Sequence, residues 1–448
     1  MLRIQTRVPA IVMQSCTPHC RSRLSPTIRF FSACVLLLLF IAPAPADAYS
    51  VLSHEEIVDL AWKDNMVPVL MRRFPGTTPD QLREAHAYAY GGCIIQDIGY
   101  YPFGSHLFSD LVHYVRTGDF VENLLRESSD VNEYAFALGA LAHYTADSYG
   151  HPAVNRSTGR EYPKLRDKFG NVVTYNDNPT AHLQTEFGFD VVEVAHQRYA
   201  PQQYHDFIGF SVAKPLLERA FRDTYGFEVS QIMTHEDLAV NTYRYSVSGL
   251  IPRMTRVAAI SYEKQMKQED PSYARRKFIY RVKGSSYRNE YGREYRKPGP
   301  GTRMIAFFIR ILPKVGPLKA LKLHMPGAES QKEFLASINT VVDHYDAALK
   351  DLKQGPNSSV SLDLPDNNLD TGERTSAGKY RLADFTYAKL LDQIEKHPNV
   401  AVPASLRANV IAFYQSSNQN YVSVKRKLWD KTQTRLQMVE RTQPTAGN

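Results

Sequence analysis

The sequence predicts an all-α protein, a multi-helix bundle with a metal cluster buried inside it. Three observations lead there. Two-residue alternation of apolar and polar side chains is nearly absent, so half-buried strands have little to form from. Helix start and stop signals recur from residue 49 to about 250. Histidines and carboxylates stand four apart, the spacing that brings side chains onto one helix face. The chain has 448 residues, enough to bury a large core.

The N-terminus reads as a signal peptide spanning residues 1–48. Residues 1–29 carry five arginines and no acid, and Phe30–Ala42, "FFSACVLLLLFIA", is an apolar run of thirteen. "PAPADA" follows and ends in Ala46-Asp47-Ala48, an A-x-A cleavage site. The run is short for a bilayer span; the alternative is an uncleaved anchor. The expected product is exported, periplasmic or secreted, and starts at Tyr49. Cleavage removes Cys16, Cys20 and Cys34 and leaves Cys93, which excludes an intrachain disulfide and a thiolate-based zinc site. Losing five arginines and one aspartate takes the formal charge from +8 to +4.

Ser53 with Glu56 fits a capping box before "HEEIVDLAW". Thr78, Pro79 and Gln81 supply an N-cap, an N1 proline and a second box for a helix through "DQLREAHAYAY", stopped at Gly91-Gly92. "SDLVHYV" is a short helix ending near Gly118. Ser129 is placed to cap a buried helix from Asp130 to about Tyr149, and Pro152 to end it. "NVVTY" is a candidate short strand, and Asn178-Pro179 opens the next helix. Residues 49–252 thus form the first expected domain.

Residues 253–329 differ. Between Arg253 and Leu323 there are eighteen lysines and arginines against five acids, interleaved with tyrosines. "MIAFFIRILPKVGPLKALKL" is apolar with spaced cations and broken by Pro313 and Pro317, which argues against a transmembrane helix. It reads either as a basic loop with a packed helix or as a segment that binds a phospholipid membrane surface, with Arg275, Arg276 and Lys277 at its centre. Residues 330–448 return to helices around the turn-rich stretch "PNSSVSLDLPDNNLDTGERTSAGKY".

"HYTADSYGHP" places His143, Asp147 and His151 on one helix face, and "HLQTEFGFD" places His182 and Glu186 on another. Imidazole nitrogens and carboxylate oxygens suit zinc, and bundle interiors house such sites. Asp97 follows a glycine helix stop, His113 lies in "SDLVHY", and His54 lies in a first helical turn; His106 or His86 are alternatives to His113.

"YSVLSHEE", "DIGYYP", "SDLVHYVRTGDF", "HYTADSYGHP" and "HLQTEFGFD" together resemble the zinc-dependent phospholipase C family over roughly residues 49–200. That all-α fold is shared with fungal single-strand-specific nucleases and with the catalytic domain of glycosylphosphatidylinositol-specific phospholipase D. The resemblance implies two to three zinc ions. The amino group and carbonyl of Tyr49, with His54, would hold one; Asp97, His113 and His143 would hold another, with Asp147 bridging the two; His151, His182 and Glu186 would hold the third. The phospholipase C and nuclease branches begin with tryptophan where this chain has Tyr49. Their second histidine stands six residues after the aspartate; His151 stands four after Asp147, as in the phospholipase D branch.

Such a cluster suits phosphodiester hydrolysis by activated water, with Asp97 and Asp147 as the catalytic carboxylates. No serine-hydrolase elbow or phosphate-binding glycine loop is present. The expectation is a monomeric, exported phospholipase C-like hydrolase, peripheral to the membrane. The alternatives are a nuclease of the same fold, acting on nucleic acid, or a non-catalytic membrane-binding module.

Overall fold

The computed structural model describes residues 51–195, 209–269, 324–354, 362–415 and 426–441. Sixteen α-helices and no strand occur among them: α1 Val51–Ala61, α2 Val67–Arg73, α3 Pro79–Gly92, α4 His106–Tyr114, α5 Thr117–Glu127, α6 Val131–Glu161, α7 Pro163–Phe169, α8 Pro179–Ala195, α9 Lys214–Tyr225, α10 Val229–Ile232, α11 Glu236–Tyr245, α12 Ile251–Glu269, α13 Ala328–Gln354, α14 Arg381–Lys396, α15 Ala404–Gln415 and α16 Arg426–Arg441. No helix among the described residues is long and apolar enough to cross a membrane. The signal segment, Tyr49 and the Arg275-Arg276-Lys277 triplet lie outside the described residues, as does most of the basic segment.

The bundle is organised around α6, whose 31 residues are buried on nearly every side. Its buried face is mixed, with Ala135, Phe136 and Leu138 packed in the first half and His143, Asp147, His151 and Asn155 further along. Helix α3 crosses it at close range because the crossing is lined by glycines. A Cβ on Gly139 would stand 2.1 Å from the Ala89 carbonyl oxygen, and one on Gly92 would stand 1.9 Å from that of Phe136. Gly92 does end α3, but its tightest constraint is this approach. Helix α13 covers the opposite side: the Tyr345 hydroxyl donates to the Leu138 carbonyl at 2.9 Å, and Phe334 stacks on Phe189 of α8 at 4.2 Å.

Several terminus signals act as expected. Thr78 and Gln81 form a reciprocal capping box with Pro79 in the first turn. The Asn178 side chain accepts from the Ala181 N–H at the start of α8.

Other signals fail for tertiary reasons. Ser53 is not a cap; it lies inside α1, where its hydroxyl and the Leu52 N–H both bond Asp190 of α8. A carboxylate from a neighbour thus satisfies the start of the helix. Asp130, not Ser129, caps α6 by accepting from the Asn132 and Glu133 N–H groups. The "SDLVHYV" helix stops at Tyr114, and Gly118 lies in the first turn of α5, where a Cβ would meet the Leu364 carbonyl oxygen at 2.2 Å. "NVVTY" is not a strand. It runs irregularly beside α6, with the Val173 N–H donating to the Asn155 carbonyl at 3.0 Å.

Pro152 is the largest departure, because α6 continues through it to Glu161. Proline removes one hydrogen bond, the one to the Ser148 carbonyl. That carbonyl packs against Gly372, where a Cβ would come within 2.1 Å and the backbone has φ +72°. The interrupted turn is filled by a distant segment instead of ending the helix.

Candidate metal centre

Helix α6 brings His143, Asp147 and His151 to one buried face, one turn apart. Around them stand His54 from the first turn of α1, Asp97 from the short 3₁₀ helix Ile95–Tyr100, His113 near the end of α4, and His182 and Glu186 one turn apart on α8. All eight side chains are buried. They form three groups, in each of which the ligand atoms lie within 4.8 Å of one another: His54, His143 and Asp147; Asp97, His113 and His143, which shares His143 with the first; and His151, His182 and Glu186.

Asp147 is the hub. Its Oδ1 faces His54 Nε2 at 3.5 Å and His151 Nε2 at 3.7 Å, while its Oδ2 faces His143 Nε2 at 3.1 Å and His113 Nε2 at 3.6 Å. Each oxygen therefore looks toward a different pair of imidazoles. Asp97 Oδ1 lies 3.3 Å from His113 Nε2. Glu186 Oε1 lies 2.7 Å from His182 Nε2 and 3.4 Å from His151 Nε2. The His54 and His143 rings stack at 4.3 Å.

The rings are aimed from behind by backbone carbonyls. His113 Nδ1 bonds the Ser109 carbonyl at 2.8 Å, His143 Nδ1 that of Cys93 at 2.9 Å, and His151 Nδ1 that of Leu369 at 2.6 Å. A carbonyl only accepts, so each Nδ1 carries the hydrogen and a neutral ring turns its Nε2 lone pair toward the cluster.

That arrangement sets acceptors against acceptors. His113 Nε2, His143 Nε2, Asp97 Oδ1, both Asp147 oxygens and both Glu186 oxygens are buried without a hydrogen-bond partner. An unmet buried polar group costs about 1–3 kcal/mol, and metal ions seated among these atoms would satisfy them. Burial itself raises the pKa values of Asp97 and Glu186 and drives that of His182 down to about 4. Burial also opposes ionisation of Asp147, but the surrounding histidines outweigh it and hold its carboxyl well below the usual range. An all nitrogen-and-oxygen set that shares one carboxylate fits zinc ions.

The alternative histidines lie elsewhere. His86 bonds Asp59 at 2.9 Å and stacks on Trp62, and His106 is exposed beside Tyr100. Cys93 is buried and its thiol donates to the Tyr90 carbonyl at 3.3 Å; burial pushes its pKa up, which makes it a poor nucleophile.

Sequence reasoning missed the Leu369 carbonyl, which lies 218 residues from His151. A backbone oxygen leaves no residue-type signal. The nearest cue was the turn-rich "DNNLDTG" around it.

Residues 53–233 match the family model described as zinc dependent phospholipase C, a span that contains all eight side chains. No curated protein and no solved structure matches the chain.

Proposed function

We propose that this chain, whose residues 53–233 match the zinc-dependent phospholipase C family model, is a zinc-dependent phosphodiester hydrolase that cleaves phospholipid head groups. The observation that carries the reading is Asp147, whose two oxygens face separate imidazole pairs drawn from all three donor groups. His54, His143 and Asp147 would hold one ion, Asp97 and His113 with His143 a second, and His151, His182 and Glu186 a third. When bound, zinc supplies Lewis-acid neutralisation of phosphate oxygens and acidifies a water molecule.

The chain's own residues prepare the rest. Burial keeps bulk water from the donor atoms and strengthens every charge interaction there. The carbonyls of Ser109, Cys93 and Leu369 hold the three imidazoles in the tautomer that presents Nε2. Asp97 Oδ1, buried and without a hydrogen bond, is the atom we assign to take the proton from the attacking water. Neither a serine nor a cysteine nucleophile is required.

In this reading residues 1–48 direct export, the chain works as a monomer, and the basic segment from Arg253 to Leu323 holds it at an anionic lipid surface. The test is a hydrolysis panel on phosphatidylcholine, a phosphoinositide and single-stranded DNA, each with and without chelator. Chelator-sensitive lipid hydrolysis is expected. Cleavage of DNA alone would favour the nuclease reading, since a basic stretch also attracts nucleic acid. No hydrolysis of any substrate by zinc-loaded protein would leave a non-catalytic membrane module.

A further inference from the structure

We infer that residues 364–374, far outside the family-matched span, form a clamp that orients the His151, His182 and Glu186 group, with Asp370 as its positioning residue. The inference rests on the metal reading above and adds a part of the chain to it.

The clamp is built from both backbone groups of one buried residue. The Leu369 N–H donates to the His113 carbonyl at 3.1 Å, and the Leu369 carbonyl accepts from His151 Nδ1 at 2.6 Å. One residue therefore touches two of the eight cluster residues. Its neighbour Asp370 is buried, and its Oδ2 accepts from the hydroxyls of Tyr114 at 2.8 Å and Tyr380 at 2.5 Å. Tyr114 directly follows His113 on α4, and Tyr380 stands just before α14, so the carboxylate ties the turn to both helices. The Asp370 carbonyl accepts from Asn155 of α6 at 2.8 Å, and its N–H donates to Asn368 Oδ1 at 3.0 Å. Gly372 closes the turn against the Ser148 carbonyl, the group freed by Pro152 in the turn between Asp147 and His151.

The physical consequence concerns one proton. The Leu369 carbonyl fixes the hydrogen of His151 on Nδ1, and with it the nitrogen that faces Glu186 and Asp147. If the turn shifts, the ring loses that constraint on tautomer and orientation. Partners of this kind are worth about 10- to 100-fold in metal affinity. His143 takes its carbonyl from Cys93 and His113 takes its Nδ1 partner from Ser109, neither of which belongs to the clamp. The effect should therefore fall on one ion of the set.

The experiment uses the full processed chain and three variants: Tyr380→Phe, Asp370→Asn and Gly372→Ala. Zinc is titrated against a chromophoric chelator, the visible spectrum of cobalt-loaded protein is recorded, and melting is followed with and without excess chelator. The expected result is about a 10- to 100-fold weaker affinity for one ion, the others unchanged, an altered cobalt spectrum, and melting in chelator close to wild type. Unchanged zinc affinities and cobalt spectra in all three variants would overturn the clamp. So would uniform loss of every ion together with an equal fall in melting temperature in chelator, since that marks a purely structural turn. If Asp370→Asn or Gly372→Ala does not fold, Tyr380→Phe decides, because it keeps the carboxylate and its Tyr114 bond. Wild-type protein that binds no metal would instead overturn the underlying reading.

Discussion

Replacing Asp147 by asparagine tests the centre most directly. The amide keeps the size of the side chain but offers one oxygen instead of two and carries no charge. In the structure Oδ1 serves the His54 and His151 side while Oδ2 serves the His143 and His113 side. Whichever way the amide turns, an NH₂ group then faces one imidazole pair. Losing a shared carboxylate should remove several kcal/mol of charge stabilisation, and about 4 kcal/mol corresponds to roughly a thousandfold in rate at 1.36 kcal/mol per decade. Glu186→Gln should cost less, because Glu186 faces only His182 and His151. Metal content after gel filtration, measured by mass spectrometry, and initial rates of lipid hydrolysis are read for both variants. Asp147→Asn should lose more metal and more rate than Glu186→Gln. Equal losses in the two variants would refute the sharing of Asp147 between donor groups while leaving a metal site possible.

Three further outcomes are expected. An extra residue left before Tyr49 should displace the terminal amine by about 3.5 Å, beyond the tolerance of a metal bond near 2.1 Å, so an extended protein of undiminished activity would show that this amine is not a ligand. Sedimentation with anionic vesicles should exceed that with neutral ones and weaken as salt rises from about 50 to 500 mM; neutralising Arg275, Arg276 and Lys277 together should reduce binding without altering metal content, and binding indifferent to both lipid charge and salt would remove the membrane role. Asp366 accepts from the Gly118 N–H and from Asn409, and burial, with Asp119 nearby, raises its pKa from 3.8 to about 6. A raised carboxyl contributes stability that is fully present below 3.8 and is lost as pH rises through about 6. Asp366→Asn should therefore gain about 1–2 kcal/mol over wild type at pH 7, after discounting for partial exposure, and nothing near pH 4, as read by urea unfolding at both pH values.

The sequence by itself determined what depends on near neighbours. A spacing of four residues stacks His143, Asp147 and His151, and likewise His182 and Glu186, whatever surrounds the helices. Thr78 and Gln81 cap α3 because both partners lie within one turn. Tertiary structure decided everything that a distant group supplies. Pro152 reads locally as a stop, yet α6 runs on because Gly372 packs into the turn that proline opens. Ser53 reads as a cap, yet Asp190 performs that task from another helix. His113 stands in the cluster in place of His86 because Asp59 and Trp62 engage His86 elsewhere. The Leu369 carbonyl could not be read at all, since every residue carries the same oxygen and only the fold brings this one to His151. A local rule needs only the chain's helical geometry, whereas a contact across 218 residues exists only once the core has brought its ends together.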